Sequence, residues 1–309
     1  MPNREPTDSP GPLERHLRAA AARSRQSFET VEFSRDDYEP LLAKAQSLAD
    51  TLLGFGLSEG AVDPVRDRAR VLEAVVRLLD DPSAKVVAPS NDEVYLAGLL
   101  VSRLDLAAGN LAGAPKAWFE EFESLLSDLD ATGQATGAAK RMTLLEFGGL
   151  CRRSGISCRP NAEPLSASLE VDDWTFAAAP EVADAPESLT DAASRACDTL
   201  RSLKRPGLIV LDAGGAMPEA PGLRRVGNDA SAMIEMRRHV DQFIIDHHDQ
   251  LVAAVDPDFA FGAVVSAVLH SVNVSTGRIA FASCARVVNL CDPDDPRAAR
   301  LGVFMNRFG

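Results

Sequence analysis

The sequence predicts an α/β protein in which a helical N-terminal module precedes an α/β domain. Three observations carry this. Apolar residues recur at helical spacing through most of the first half of the chain. Two short strand-like runs flank Asp172-Asp173, which reads as a hairpin. Leu208-Ile209-Val210-Leu211 is an uninterrupted apolar run between two helical segments, as a strand buried on both faces would be.

The elements follow in chain order. Residues 1 to 35 are rich in Pro, Arg, Ser and Glu and read as a loose tail, with at most a short helix around Leu13 to Ala22. A helical module is expected over 36 to 136. Leu41, Ala45, Leu48 and Leu52 form one stripe, and Val65, Ala69, Leu72, Val76 and Leu79 repeat it after a glycine-rich break. Ser90-Asn91-Asp92-Glu93 has the pattern of a capping box and opens a third helix. Pro115 fits a first turn, so Trp118, Phe122, Leu125 and Leu129 form a fourth stripe.

The α/β domain is expected over 137 to 309. A helix from about Gly137 to Arg153 stops at Gly155, and Ile156-Ser157-Cys158 starts a strand. The hairpin pairs Ala167 to Val171 with Trp174 to Ala179. Ser188-Leu189-Thr190-Asp191 resembles a second capping box, and its helix leads through Arg205-Pro206-Gly207 to the apolar strand, a parallel crossover. A long helix over Ala230 to Val255 carries Ile234, Val240, Phe243, Ile244, Leu251 and Val252. Two further strands, Phe261 to Leu269 and Arg278 to Leu290, pair across a Ser275-Thr276-Gly277 turn, and a short, marginal helix ends the chain.

Composition narrows the function classes. Lys and Arg total 32 against 45 Asp and Glu, a formal charge of -13 that repels phosphate backbones on average. The five cysteines, Cys151, Cys158, Cys197, Cys284 and Cys291, include no CxxC pair and are odd in number. Free buried thiols in a reducing cytoplasm are expected, without a zinc knuckle. No apolar run reaches bilayer length before a charge interrupts it, so no membrane partner is expected.

Asp246-His247-His248 invites comparison with the Asp-His-His phosphoesterases, whose imidazoles and carboxylates bind metal and activate water. Asp212, at the end of an apolar strand, is the kind of position that presents a ligand. The histidine and aspartate cluster which that family carries near its start is missing, and the local period puts Asp246 on an amphipathic helix. Gly214-Gly215 lacks the lysine and further glycines of a phosphate cradle and reads as a turn.

The run from about Leu144 to Phe281 resembles standalone PD-(D/E)xK restriction-endonuclease-like domains. The order is matched by the helix containing Glu146, the Glu163-Pro164-Leu165 start of a strand, and the hairpin ending at Ala178-Ala179-Pro180. The Ser188 helix and the strand from Leu208 to Asp212 complete it. The resemblance implies a three-layer α/β domain around a central mixed sheet. It also places Leu165 where the family has its metal-binding Asp, and Ala178 and Pro180 where it has Glu and Lys.

None of those three side chains holds Mg²⁺ or polarises water, so the resemblance implies a degenerate site with no catalytic residue and no cofactor. The expected function is that of an inactive nuclease-like protein that binds another macromolecule. A protein partner is favoured over nucleic acid by the negative charge. The alternative is a Mg²⁺-dependent nuclease of DNA or RNA using the displaced carboxylates Glu146, Glu163 and Glu181.

Overall fold

In the computed structural model, residues 35–109, 111, 114–130, 135–161, 163–217, 224–226, 229–273 and 278–308 are described. The expected tail helix and the Ser275-Thr276-Gly277 turn lie outside them.

Five helices come first, and they follow the stripes in the sequence. They are α1 (Arg35–Gly54), α2 (Glu59–Asp80), α3 (Asn91–Gly109), α4 (Lys116–Asp130) and α5 (Ala135–Arg153). The capping box of α3 forms as its residues dictate. Glu93 Oε2 accepts from Ser90 N at 2.7 Å, and Ser90 Oγ accepts from Glu93 N at 3.3 Å. Beyond α5, Gly155 takes a left-handed φ of 69° that a side chain would strain. The chain then turns into β1 (Ser157–Asn161).

A meander follows, with β2 (Ser166–Val171) antiparallel to β1 and to β3 (Trp174–Val182). Its second turn sits at Asp172-Asp173, with Asp172 at φ 53°. The remaining elements are α6 (Leu189–Ser202), β4 (Gly207–Asp212), β5 (Arg224–Val226), α7 (Asp229–Ala254), β6 (Ala260–Asn273), β7 (Arg278–Asn289) and α8 (Pro296–Phe308). Strand β4 runs parallel to β3 and to β6, and β7 returns antiparallel to β6. The result is a mixed sheet ordered β1-β2-β3-β4-β6-β5, with β7 on β6.

Strand alternation divides the core. On one face Ala178, Leu208, Val210 and Val264 pack with Leu104, Phe122, Met142 and Leu145 of the N-terminal helices and with Phe304 of α8. On the other, Ala177, Ile209, Leu211 and Val265 pack with Ala192 and Ala196 of α6 and Val240 and Phe243 of α7. Helices therefore cover both faces, and the first core runs unbroken from the N-terminal helices into the sheet.

Close approaches explain two glycines. A Cβ on Gly207 would lie 2.0 Å from the Ala177 carbonyl oxygen, so only glycine lets β4 begin beside β3. A Cβ on Gly148 would meet the Trp118 ring at 2.3 Å. That ring is fixed by its indole N–H, which donates to the Cys158 carbonyl at 3.1 Å and ties α4 to β1.

Three expectations need correction. Ser188 does not cap α6 with its side chain. It closes a 3-10 turn over Pro186–Ser188, where its hydroxyl accepts from Ala185 N at 3.1 Å, because the proline sets up that turn first. The antiparallel hairpin does end at Ala178, but the strand expected to stop at Ala179 continues to Val182, because β4 pairs beside it. The last helix is not marginal: α8 buries Leu301 and Phe304, and Phe304 meets Phe176 edge-on with ring centroids 5.8 Å apart. On α7, Val240, Phe243 and Leu251 are buried, whereas Ile234 and Val252 are exposed.

Candidate functional site

The site grows from Asp212. Every residue of β4 is buried, and alternation places Asp212 on the face of Leu208 and Val210, toward the N-terminal helices. A carboxylate there is costly to desolvate unless a cation meets it. Arg103 of α3 does so, with Nη2 at 2.8 Å from Asp212 Oδ2. The same guanidinium grips Glu146 of α5 bidentately, Nε donating to Oε1 at 2.6 Å and Nη2 to Oε2 at 2.8 Å. The remaining Asp212 oxygen accepts from Gly214 N at 3.1 Å, which closes the turn after β4.

Burial alone works to lower the Arg103 pKa, but the pull of Glu146 and Asp212 outweighs it and holds the guanidinium more firmly protonated than an exposed arginine. Arg103 thus offers no proton for acid-base chemistry. Its part is that of a fixed cation between two carboxylates, all three nearly sealed from water.

Beside this triad lies a cleft of about 230 Å³ lined by Lys44, Ser102, Arg103, Asp105, Leu150 and Val268, among others. Lys44 and Asp105 pair at 3.2 Å, both half-exposed. The buried Ser102 hydroxyl has no hydrogen-bond partner among the described residues.

Glu181, near the end of β3, is buried and meets a different set of cations. Lys140 of α5 hydrogen-bonds Oε1, and Arg195 of α6 reaches Oε2 at 3.4 Å. Glu163 is exposed in the turn before β2. Of the three displaced carboxylates, Glu146 and Glu181 are therefore each held by basic side chains, and Glu163 stands outside on the turn. Leu165 packs against the core, Ala178 is fully buried opposite Ala167, and Pro180 is buried beside Val210 of β4.

Asp246, His247 and His248 lie on α7, as the helical period indicated. Asp246 accepts from Gln242 at 2.8 Å, His247 Nδ1 lies 3.1 Å from Gln250 Oε1, and His248 Nε2 lies 3.2 Å from the Asn289 carbonyl. Asp212 is committed to Arg103 and the neighbouring turn. Among the described residues no group of three or more His, Cys, Asp or Glu side chains could hold a metal ion.

The five thiols are buried and free. Burial, followed by contact with Cys158, pushes Cys151 well above the usual thiol range, and burial raises Cys197, Cys284 and Cys291 as well. Such thiols are poor nucleophiles at neutral pH. Among the described residues no helix is long and apolar enough to cross a membrane.

The structure adds Arg103, Lys140 and Arg195 to the residues that the sequence singled out. Arg103 carried a readable signal, because it falls three and four residues after Leu100 and Leu99, on the apolar side of α3. A cation at a core position needs a carboxylate partner. Lys140 and Arg195 carried no comparable mark. Comparison with family models, with curated proteins and with solved structures returned no match.

Proposed function

We propose that this chain is a catalytically inactive, nuclease-like protein that works by binding another macromolecule, with a protein as its partner. The observation that carries this reading is the Arg103 guanidinium between Glu146 and Asp212, where the chain itself supplies the cation for two carboxylates at the end of β4. Kinship with the PD-(D/E)xK domains is supported by the succession of α5, the β1-β2-β3 meander, α6 and the parallel strand β4.

The residues do not fit a Mg²⁺ site. That ion demands near-octahedral oxygen ligands, whereas the matched positions are Leu165, Ala178 and Pro180, and the buried carboxylates are engaged by Arg103, Lys140 and Arg195. A protein partner is favoured over nucleic acid because residues 35–136 carry 18 Asp and Glu against 9 Lys and Arg, a field that repels phosphates.

The test has two arms. Native capture of the full chain, with protein and nucleic acid in the eluate identified separately, is expected to recover a reproducible protein partner. Incubation with single- and double-stranded DNA and RNA and Mg²⁺ or Mn²⁺ is expected to give no metal-stimulated cutting. Cutting that disappears in Glu146→Gln, Glu163→Gln or Glu181→Gln would establish the nuclease alternative instead, and recovery of nucleic acid alone would remove the protein partner.

A further inference from the structure

The outer face of α7 presents an arrangement that the core does not use. Met236, Val240, Phe243 and Leu251 turn inward. On the opposite side Ile234 is 67% exposed, Ile245 69% and Val252 39%. At about 100° per residue these three fall within ~20° of a single line along the helix, and they span ~27 Å of its length. Isolated exposed apolar residues are ordinary. Three β-branched ones in a row on the solvent side of one helix form a seam.

The charges on that seam are ordered. Arg238 lies in its first half and Asp249 in its second, and both are exposed. We infer that this face pairs with the same face of a second copy of the chain, antiparallel about a twofold axis near Phe243. In that pairing Ile234 lies against Val252 of the second copy, and Arg238 against Asp249 of the second copy. Each contact occurs twice, as a closed symmetric dimer requires.

The axis would be the weak point if it set two bare carboxylates together. Asp241, the acidic residue of the seam nearest the axis, is instead held bidentately by Arg286 of β7, at 2.7 Å and 3.2 Å. That pairing leaves Ile245 beside a neutralised neighbour. A partner helix of uniform charge would match only one half of the seam, whereas a second copy matches both. The contact involves one helix from each copy, below the ~1,200 Å² of a stable interface, and each copy carries a formal charge of -13. The dimer is accordingly weak, forming at micromolar concentrations or above.

This inference stands apart from the proposed binding function and is tested separately. Sedimentation equilibrium of the full chain, over a range reaching about 0.5 mM to cover weak association, is expected to show a monomer–dimer equilibrium. Ile245→Asp is expected to weaken it at least about tenfold. Arg238→Asp is expected to weaken it as well, and adding Asp249→Arg to that variant to restore it. These positions are exposed, so circular dichroism of each variant should match the parent. A chain that stays monomeric throughout, or a dimer indifferent to Ile245→Asp, or a double variant no better than Arg238→Asp alone, would overturn the proposal.

Discussion

Arg103 is the residue on which the buried charges depend. Replacing it with Met keeps much of the volume but takes the guanidinium away from both Glu146 and Asp212. Breaking a buried ion pair from one side costs roughly 3–5 kcal/mol, so Arg103→Met is expected to lose stability of that order in chemical denaturation at neutral pH. The deficit should shrink in acid, since protonating one carboxyl removes the repulsion between them and protonating both removes the buried charge. Arg103→Lys is not expected to rescue it, because one ammonium cannot reproduce the bidentate grip on Glu146 while reaching Asp212. At this scale the sequence was partly legible. Asp212 was marked by its place at a strand end, and Glu146 only by the order of elements in the family resemblance. The cation that binds them comes from 43 residues before Glu146, a separation that no local pattern can express.

At the scale of elements, α8 shows what a cap contributes. Asp295 precedes its first turn, and its Oδ1 accepts from Arg297 N at 2.8 Å while the guanidinium of Arg297 pairs with both oxygens. The Arg297 side chain first, and its backbone N–H second, hold the Asp295 carboxyl down at about 2. The ordinary value is higher, so the contribution is complete above the unfolded carboxyl's range near 4 and lost as pH falls toward 2. Asp295→Ala is expected to lower the melting temperature by a few degrees at neutral pH, with the gap from the parent closing between about pH 4 and pH 2. Thermal melts across that interval check it, and a constant gap would reject the assignment.

Apart from β5 and the 3-10 turn at Pro186–Ser188, each element was readable, because stripes and apolar runs are local signals. What escaped was set by distant packing. The strength of α8 depends on Phe176 in β3 and on Phe147 in α5, against which Phe304 and Phe308 lie. The solvent side of α7 was not legible, because Ile234 and Val252 count as apolar in any periodic pattern, and a pattern does not say which side meets the sheet. The short strand β5 has only three residues and owes its existence to its pairing with Ser271 to Asn273 of β6.

For the whole molecule, the N-terminal helices and the sheet share one hydrophobic cluster, from Leu48 through Phe122 and Phe147 to Phe176 and Phe261. A fragment of residues 137–309 would uncover the apolar side chains beneath α3 and α4 and would lack Arg103. Expressed alone, it is expected to be insoluble, or to keep its far-ultraviolet dichroism while losing cooperative unfolding. Sharp two-state melting of that fragment would show that the shared core is dispensable.

The tie between α3 and β4 also sets an order of events during synthesis. Arg103 leaves the ribosome before Glu146 and long before Asp212, so its guanidinium has only the Glu146 partner of this triad until β4 emerges. Until β4 emerges, the helices lack the sheet that completes their core and are expected to remain loosely packed. A ribosome stalled after α5 should therefore hold a chain that proteases still cut between its helices, and one stalled after β6 should not.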